Sequence, residues 1–192
     1  MNKDILKQFS SWWEKAQMAS PLQQKSAVCV STIDEEGFPH GRFVDLKTVD
    51  ECGFVFCTSY DSLKGKHMSA NPKVSITAWW DHVGYQVRIV GLAEKIKDPL
   101  ADEFWYSRSV DAQNATNLFQ QSERWEASID PQTFFIDQHG DNSEPLPRPM
   151  NWGGFLVVPE QVEFLTFRDN RVHLREHFYK ATDGWEREIL QP

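Results

Sequence analysis

Lys73-Val74-Ser75-Ile76-Thr77-Ala78-Trp79-Trp80 and the run Tyr85 to Ile96, joined through Asp81-His82-Val83-Gly84, read as two long strands with a tight connection between them. Both are rich in β-branched and aromatic residues, and the four linking residues are turn formers. The same signals recur upstream. Ala27 to Ile33 ends at Asp34-Glu35-Glu36-Gly37 and leads into Pro39 to Thr48, a hairpin, and a second turn at Asp50-Glu51-Cys52-Gly53 precedes Phe54 to Thr58. Five strands at this spacing predict a closed antiparallel sheet or barrel.

Helical signals flank the strands. Ile5, Phe9, Trp12, Trp13 and Ala16 recur at the helical period, which predicts an amphipathic helix over residues 3–18. Ser62 can cap a short helix that ends near Asn71-Pro72. Pro99 in a first turn, with Leu100, Phe104 and Trp105, opens a helical insert over about residues 98–120. Residues 123–152 are polar, carry Gly140, Pro145, Pro147 and Pro149, and read as a mobile loop around a short helical piece. Strand signals return at Gly154 to Val158, Val162 to Phe167, Arg171 to Lys180 and Trp185 to Leu190. The fold class is mainly β with flanking helices (α+β), in one domain over residues 1–192.

A net charge of −8 over 192 residues argues against nucleic acid or a membrane surface as partner, since both attract a basic face. No apolar run approaches the roughly 20 residues that span a bilayer, and Met1-Asn2-Lys3-Asp4 starts no signal-peptide core, so a cytoplasmic protein is expected. Cys29, Cys52 and Cys57 are odd in number and form no C-x-x-C, so they are expected to be buried small hydrophobes.

Local cations stand out against this acidic background. Read as a strand, Asn170 to Arg175 places Arg171, His173 and Arg175 on one face, with no acidic residue alternating between them. Such a row calls for an anionic ligand, or else is a solvated edge strand. His173-Leu174-Arg175-Glu176-His177 also fits the metalloprotease pattern H-x-x-E-H, which requires a helix. In a strand the two histidines lie about 13 Å apart, too far to share a metal. His40, His67, His82 and His139 show no ligand spacing and are expected at surfaces or turns.

Several separated motifs resemble the pyridoxamine 5'-phosphate oxidase family, FMN-dependent split β-barrel proteins, from about residue 20 to Pro192. They are Arg42-Phe43-Val44-Asp45-Leu46-Lys47, Asn71-Pro72-Lys73-Val74-Ser75, the run Gln86 to Glu94, Ser107-Arg108, Gln121-Ser122, Trp152-Gly153-Gly154-Phe155 and Arg171-x-His173-x-Arg175, in family order. The resemblance implies an oxidase that moves a hydride from substrate to FMN and returns the electrons to O2. It implies a homodimer with each flavin site built from both subunits. Arg42, Thr58, Lys64, Gln121 and Ser122 would hold phosphate and ribityl groups, Gln86 and the backbone of Val44, Leu46 and Lys47 would meet the ring, and Arg175 would add charge at its edge. Arg171 and His173 would orient substrate, whose phosphate would meet Lys47 and Arg108. No Gly-rich phosphate loop is present, so side chains must bind the phosphate. Arg42 and Lys47, five apart, face opposite sides of a regular strand, so a bulge is expected between them.

The resemblance departs at substrate positions. Phe104 and Ala112 stand where the family has hydroxyl donors to the substrate phosphate, Leu63 and Leu165 replace an arginine and a tryptophan near the flavin, and Asp45 adds a carboxylate. Two further readings follow: an oxidase of the same family acting on a non-phosphorylated polycyclic acid, as in phenazine biosynthesis, or a non-catalytic flavin- or haem-binding split barrel.

Overall fold

A computed structural model describes residues 1–139 and 144–192. Among them, eight strands form one antiparallel sheet: β1 (Ala27–Ile33), β2 (Pro39–Val49), β3 (Phe54–Ser59), β4 (Lys73–Trp80), β5 (Tyr85–Lys95), β6 (Trp152–Thr166), β7 (Leu174–Ala181) and β8 (Gly184–Leu190). Their order is β3-β2-β1-β4-β5-β6-β7-β8, and β3 also pairs with β6, which closes the first six strands into a barrel. Closure removes the free edge at β3 and leaves β8, at the end of the β7–β8 extension, as the remaining edge.

The strand β6 makes this possible by its length. Its first half pairs with β3, from Trp152 opposite Ser59 to Val157 opposite Phe54, while its second half carries β7, from Gln161 opposite Tyr179 to Thr166 opposite Leu174. The sequence divides this strand in two at Pro159-Glu160, and the structure runs through. A bulge explains why: Gly91 of β5 pairs with Pro159 and Val90 with Gln161, so Glu160 is the extra residue and the proline's missing N–H falls at an irregularity.

Alternation fills the barrel. Val28, Val30, Ile76, Ala78, Val87, Ile89, Val162 and Phe164 are all at most 1% exposed and point inward. Helix α1 (Lys3–Ala19), capped by the Asn2 side chain on the Asp4 amide, lays Ile5, Phe9, Trp12 and Ala16 against the barrel. Phe9 meets Phe54 and Trp80 at 5.0 and 5.6 Å between ring centroids, and Trp12 stacks on Tyr85 at 4.0 Å. At about 1.5–3 kcal/mol for each large apolar side chain buried, this stripe is a principal stabiliser.

Four further helices complete the described chain: α2 (Leu63–Ala70), α3 (Asp98–Tyr106), α4 (Val110–Leu118) and α5 (Pro131–His139). The stretch read as a mobile loop contains residues 140–143, outside the described residues, and also a pinned segment. The Leu146 amide donates to Gln113 Oε1 at 2.8 Å, and its carbonyl accepts from Trp105 Nε1 at 2.6 Å. Arg148 adds contacts to Asp98, Asp102 and the Trp152 carbonyl.

Three sequence expectations are corrected. Cys52 is exposed and Cys29 and Cys57 are only half-buried. His67 is not at the surface but 7% exposed. Arg171 lies outside β7, which begins at Leu174, because Arg171 adopts φ +63° in a turn closed by its amide on the Arg168 carbonyl. Strand alternation therefore does not align Arg171, His173 and Arg175.

Candidate functional site

A cavity of about 600 Å³ opens between the outer surface of β2 and β3 and the helix α4. β2 supplies Val44, Asp45 and Lys47, β3 supplies Cys57 and Thr58, α2 supplies Lys64, and the α3–α4 corner supplies Arg108. α4 adds Ala112 and Thr116, and Gln121 follows just beyond it. The expected bulge is present: pairing of β2 with β3 slips between Leu46 and Thr48, so Lys47 is the inserted residue. Leu46 points into the core, and its amide is taken by the Ser26 carbonyl at 2.9 Å. The bulge lies beyond Leu46, however, and does not bring Arg42 onto the cavity wall. Arg42 Nη1 instead donates to Thr32 Oγ1 at 2.6 Å, with Lys64 nearby.

Lys64 is the electrostatic centre of the cavity. Ser62 caps α2 through the Gly65 amide and thereby fixes where Lys64 starts. The Lys64 ammonium, 7% exposed, donates to Thr58 Oγ1 at 3.1 Å and Ser62 Oγ at 3.3 Å. Burial, with the nearby Arg42 cation, pushes its pKa down to about 8. Its partners are hydroxyls, and among the described residues no carboxylate answers the charge. Thr58 also donates to Gln121 Oε1 at 3.3 Å, tying the far end of α4 to the same spot.

The other end of the cavity holds Arg108. Its guanidinium lies 4.9 Å from the Trp152 ring and 5.4 Å from the Trp105 ring, and Nη2 donates to the Ala112 carbonyl and Thr116 Oγ1 at 2.8 and 2.9 Å. Burial lowers its pKa too. Lys47 Nζ is 4.0 Å from Asp45 Oδ2, a loose and half-exposed pair. Cys57, read from sequence as a core hydrophobe, lines the wall; burial pushes its thiol up to about 12 against the pull of Lys47 and Arg108, so it stays protonated. Phe104 does not line the cavity. Ser122 has φ +76° just after Gln121 and is exposed.

The remaining candidates lie elsewhere on the same chain. Gln86 pairs with Leu165, and Leu165 pairs with Arg175, so these three form one row across β5, β6 and β7. Trp79 extends the row on β4. Trp79 meets Phe167 at 4.9 Å and Phe167 meets His173 at 5.5 Å, which joins His173 to the row's edge. Arg175 is not unanswered, as its strand neighbours had implied: Glu163 on β6 accepts from its Nε at 2.8 Å and holds its pKa up. The sequence could not reveal this pair, because Glu163 comes from the adjacent strand. His173 Nδ1 accepts from the Arg168 amide at 3.0 Å, and His177 contacts Glu188 at 2.9 Å from within β7. Turn and strand, not helix, carry the H-x-x-E-H residues, so the spacing that a metalloprotease needs is not formed.

The fold agrees with comparisons to known proteins. The family profile for pyridoxamine 5'-phosphate oxidase matches residues 15–134, and that for the pyridoxine 5'-phosphate oxidase C-terminal dimerisation region matches residues 152–192. A pyridoxine/pyridoxamine 5'-phosphate oxidase of Trichormus variabilis is 36% identical over 188 residues, covering 97% of this chain and 87% of that protein. The protein of the same name from Haemophilus influenzae is 36% identical over 194 residues, covering 100% and 90%. Among solved structures, PhzG of Burkholderia lata superposes with a TM-score of 0.85 at 23% identity, covering 97% of this chain and 91% of that one. A pyridoxamine 5'-phosphate oxidase-related protein of Nostoc punctiforme gives 0.76 at 18%, covering 97% and 96%. The six-stranded barrel with its β7–β8 extension is thus the split barrel of these proteins, and the chain belongs to the pyridoxamine 5'-phosphate oxidase family.

Proposed function

We propose that the protein is an FMN-dependent oxidase that takes a hydride from pyridoxamine or pyridoxine 5'-phosphate and is reoxidised by O2. The observation that carries this reading is Lys64, an ammonium buried among hydroxyls with no carboxylate partner among the described residues, which fits a terminal phosphate. FMN bound there supplies the hydride acceptor and the route to O2. Lys64, Thr58 and Gln121, with Arg42 and Ser122, hold its phosphate and ribityl groups, while the Val44 to Lys47 backbone runs along the ring. Lys47 and Arg108 meet the substrate anion.

Gln86, Arg175, Arg171 and His173 complete the site from a second copy of the chain. Support comes from position: Gln86 and Arg175 share one row across β5, β6 and β7, with His173 at its edge, none of them lines the cavity, and residues 152–192 match a dimerisation region. In this reading Arg171 and His173 orient substrate over the ring, and Arg175 sits at the ring edge. Among the described residues no helix is long and apolar enough to cross a membrane.

Absorption and cofactor extraction of the purified protein test the reading. FMN, not FAD, should be recovered, and Arg42→Ala or Lys64→Met should weaken its binding at least about tenfold by removing a charge-assisted contact. Undiminished FMN retention in both variants would refute the site.

One observation favours a second substrate. Asp45 stands beside Lys47, and Ala112 presents a methyl group at the wall, so the substrate end offers less net charge and fewer donors than a phosphate dianion needs. A non-phosphorylated planar acid fits it, and the solved PhzG structure holds tetrahydrophenazine-1-carboxylic acid. Steady-state turnover of pyridoxamine 5'-phosphate against such an acid separates the two.

A further inference from the structure

Beside Lys64, whose helix α2 carries His67 one turn further on, five polar residues form a chain: Arg42, Thr32, His67, His40 and Asp34. Arg42 Nη1 donates to Thr32 Oγ1 at 2.6 Å and to the Val30 carbonyl at 3.4 Å. Thr32 is 0% exposed, and its oxygen also lies 3.0 Å from His67 Nδ1. A guanidinium only donates, so the Thr32 oxygen accepts from Arg42; it could accept a second time, but Thr32 is buried and its own proton has no other acceptor among the described residues, so the arrangement that leaves no buried donor unpaired sends that proton to His67. His67 Nδ1 is therefore the acceptor, and its ring proton sits on Nε2. The His40 ring lies 5.0 Å from that of His67, and His40 Nε2 is 2.8 Å from Asp34 Oδ2, which anchors the outer end.

This arrangement has a directional consequence at Arg42. Both contacts fall on Nη1, so Nε and Nη2, one full edge of the guanidinium fork, have no protein acceptor among the described residues. That edge matches two phosphate oxygens. Lys64 lies one turn before His67 on α2, so the Arg42–Thr32–His67 chain brings Arg42 to Lys64, whose pKa it helps to depress, and one anion can meet the free edge and the ammonium together.

We propose that His67 is a positioning residue for the cofactor phosphate: by accepting the Thr32 hydroxyl proton it turns the Thr32 lone pair onto Arg42, and so fixes the guanidinium with its free edge beside Lys64. The inference rests on the reading of Arg42 and Lys64 as the phosphate site. It differs from a purely packing role, in which His67 only fastens α2 to β1. It differs also from a direct charge role, because the histidine needed here is neutral.

The test is the FMN dissociation constant, followed by flavin fluorescence, in a small set of variants. His67→Leu removes the acceptor, whereas His67→Asn places an amide oxygen near the position of Nδ1. Thr32→Val removes the hydroxyl at nearly constant shape and gives the same information should His67→Leu fold poorly. His67→Leu and Thr32→Val should each weaken FMN by about tenfold, and His67→Asn should stay near the wild type. In an Arg42→Ala background, His67→Leu should weaken FMN no further, because the effect passes through Arg42. The proposal is overturned if His67→Leu and Thr32→Val bind FMN normally, if His67→Asn loses as much as His67→Leu, or if the loss persists in full without Arg42. If Arg42→Ala alone binds FMN normally, Arg42 has no part in the phosphate site and this inference falls. A weakened Arg42→Ala beside a normal His67→Leu overturns the inference and leaves the phosphate-site reading standing.

Discussion

Lys64 on α2 and Thr58 on β3 meet Nζ to Oγ1 at 3.1 Å, and this contact joins the helix to the barrel at the cavity wall. The ammonium's pKa, pushed down to about 8 by burial and by Arg42, makes the contact sensitive to pH. The ordinary lysine value is 10.5, so between about 8 and 10.5 the unfolded chain holds a proton that the folded, ligand-free chain has released. Stability from this group therefore rises with pH across that window.

A phosphate at the ammonium reverses the preference by holding the proton on. FMN affinity should then fall as pH rises above about 8, by at most about tenfold per unit, with proton uptake on binding. Titration calorimetry in two buffers of different ionisation enthalpy measures that uptake directly. Lys64→Met should flatten the profile, and a wild-type dissociation constant that is level from pH 7 to pH 10 would contradict the assignment.

At the substrate end, Ala112 and Asp45 are the residues to change. Ala112→Ser adds a hydroxyl to the cavity wall, and Asp45→Asn frees Lys47 from its counter-charge. If pyridoxamine 5'-phosphate is a substrate, each should lower its KM, by about fivefold to tenfold for the added donor, with kcat little altered. Phe104→Tyr should do less, because Phe104 lies off the wall. A KM unmoved by both changes would favour the planar-acid reading.

Much of this architecture is legible in the sequence because it is local. Alternation in β1, β4 and β5, the 3.6 period of α1 and the Ser62 cap depend on neighbours in the chain. What failed depends on partners from elsewhere. Pro159 looks like a strand end until β5 supplies a bulge opposite it, and Arg175 looks unanswered until β6 supplies Glu163. Arg171 departs from strand alternation for a local reason: its positive φ is uncommon for a residue with a Cβ, and the pattern of neighbouring residues does not signal it. The cavity's cations were found through motif order, while the Thr32–His67 contact, 35 residues apart in the chain, carried no signal at all.

Gly91 is fixed by close approach. A Cβ built there would lie 2.2 Å from the Val158 carbonyl oxygen and 3.0 Å from Pro159 Cα, both backbone atoms that cannot swing aside. Gly91→Ala should therefore push β5 from β6 at the bulge and cost about 1–3 kcal/mol. For a chain of this size that is about 2–4 °C in Tm for each kcal/mol. Thermal unfolding by circular dichroism checks it, and an unchanged Tm would mean that the bulge yields more readily than its backbone contacts imply.

The division of the site between the cavity and the Gln86–Leu165–Arg175 row can be tested by mixing subunits. Lys47→Ala damages the cavity, and His173→Ala damages the other surface; on the proposed dimer each homodimer carries two defective sites. Each variant alone should lose between about tenfold and a thousandfold in kcat/KM. When the two are unfolded together and refolded in equal amounts, half of the dimers are mixed. If the halves come from different subunits, each mixed dimer holds one site with both defects and one with neither. The mixture should then recover about a quarter of wild-type activity, far above either variant. If both halves came from one chain, every site in the mixed dimer would keep a defect and no activity would return. Complementation thus measures shared sites directly, and its absence, with mixed dimers confirmed by mass, would refute the two-subunit flavin site.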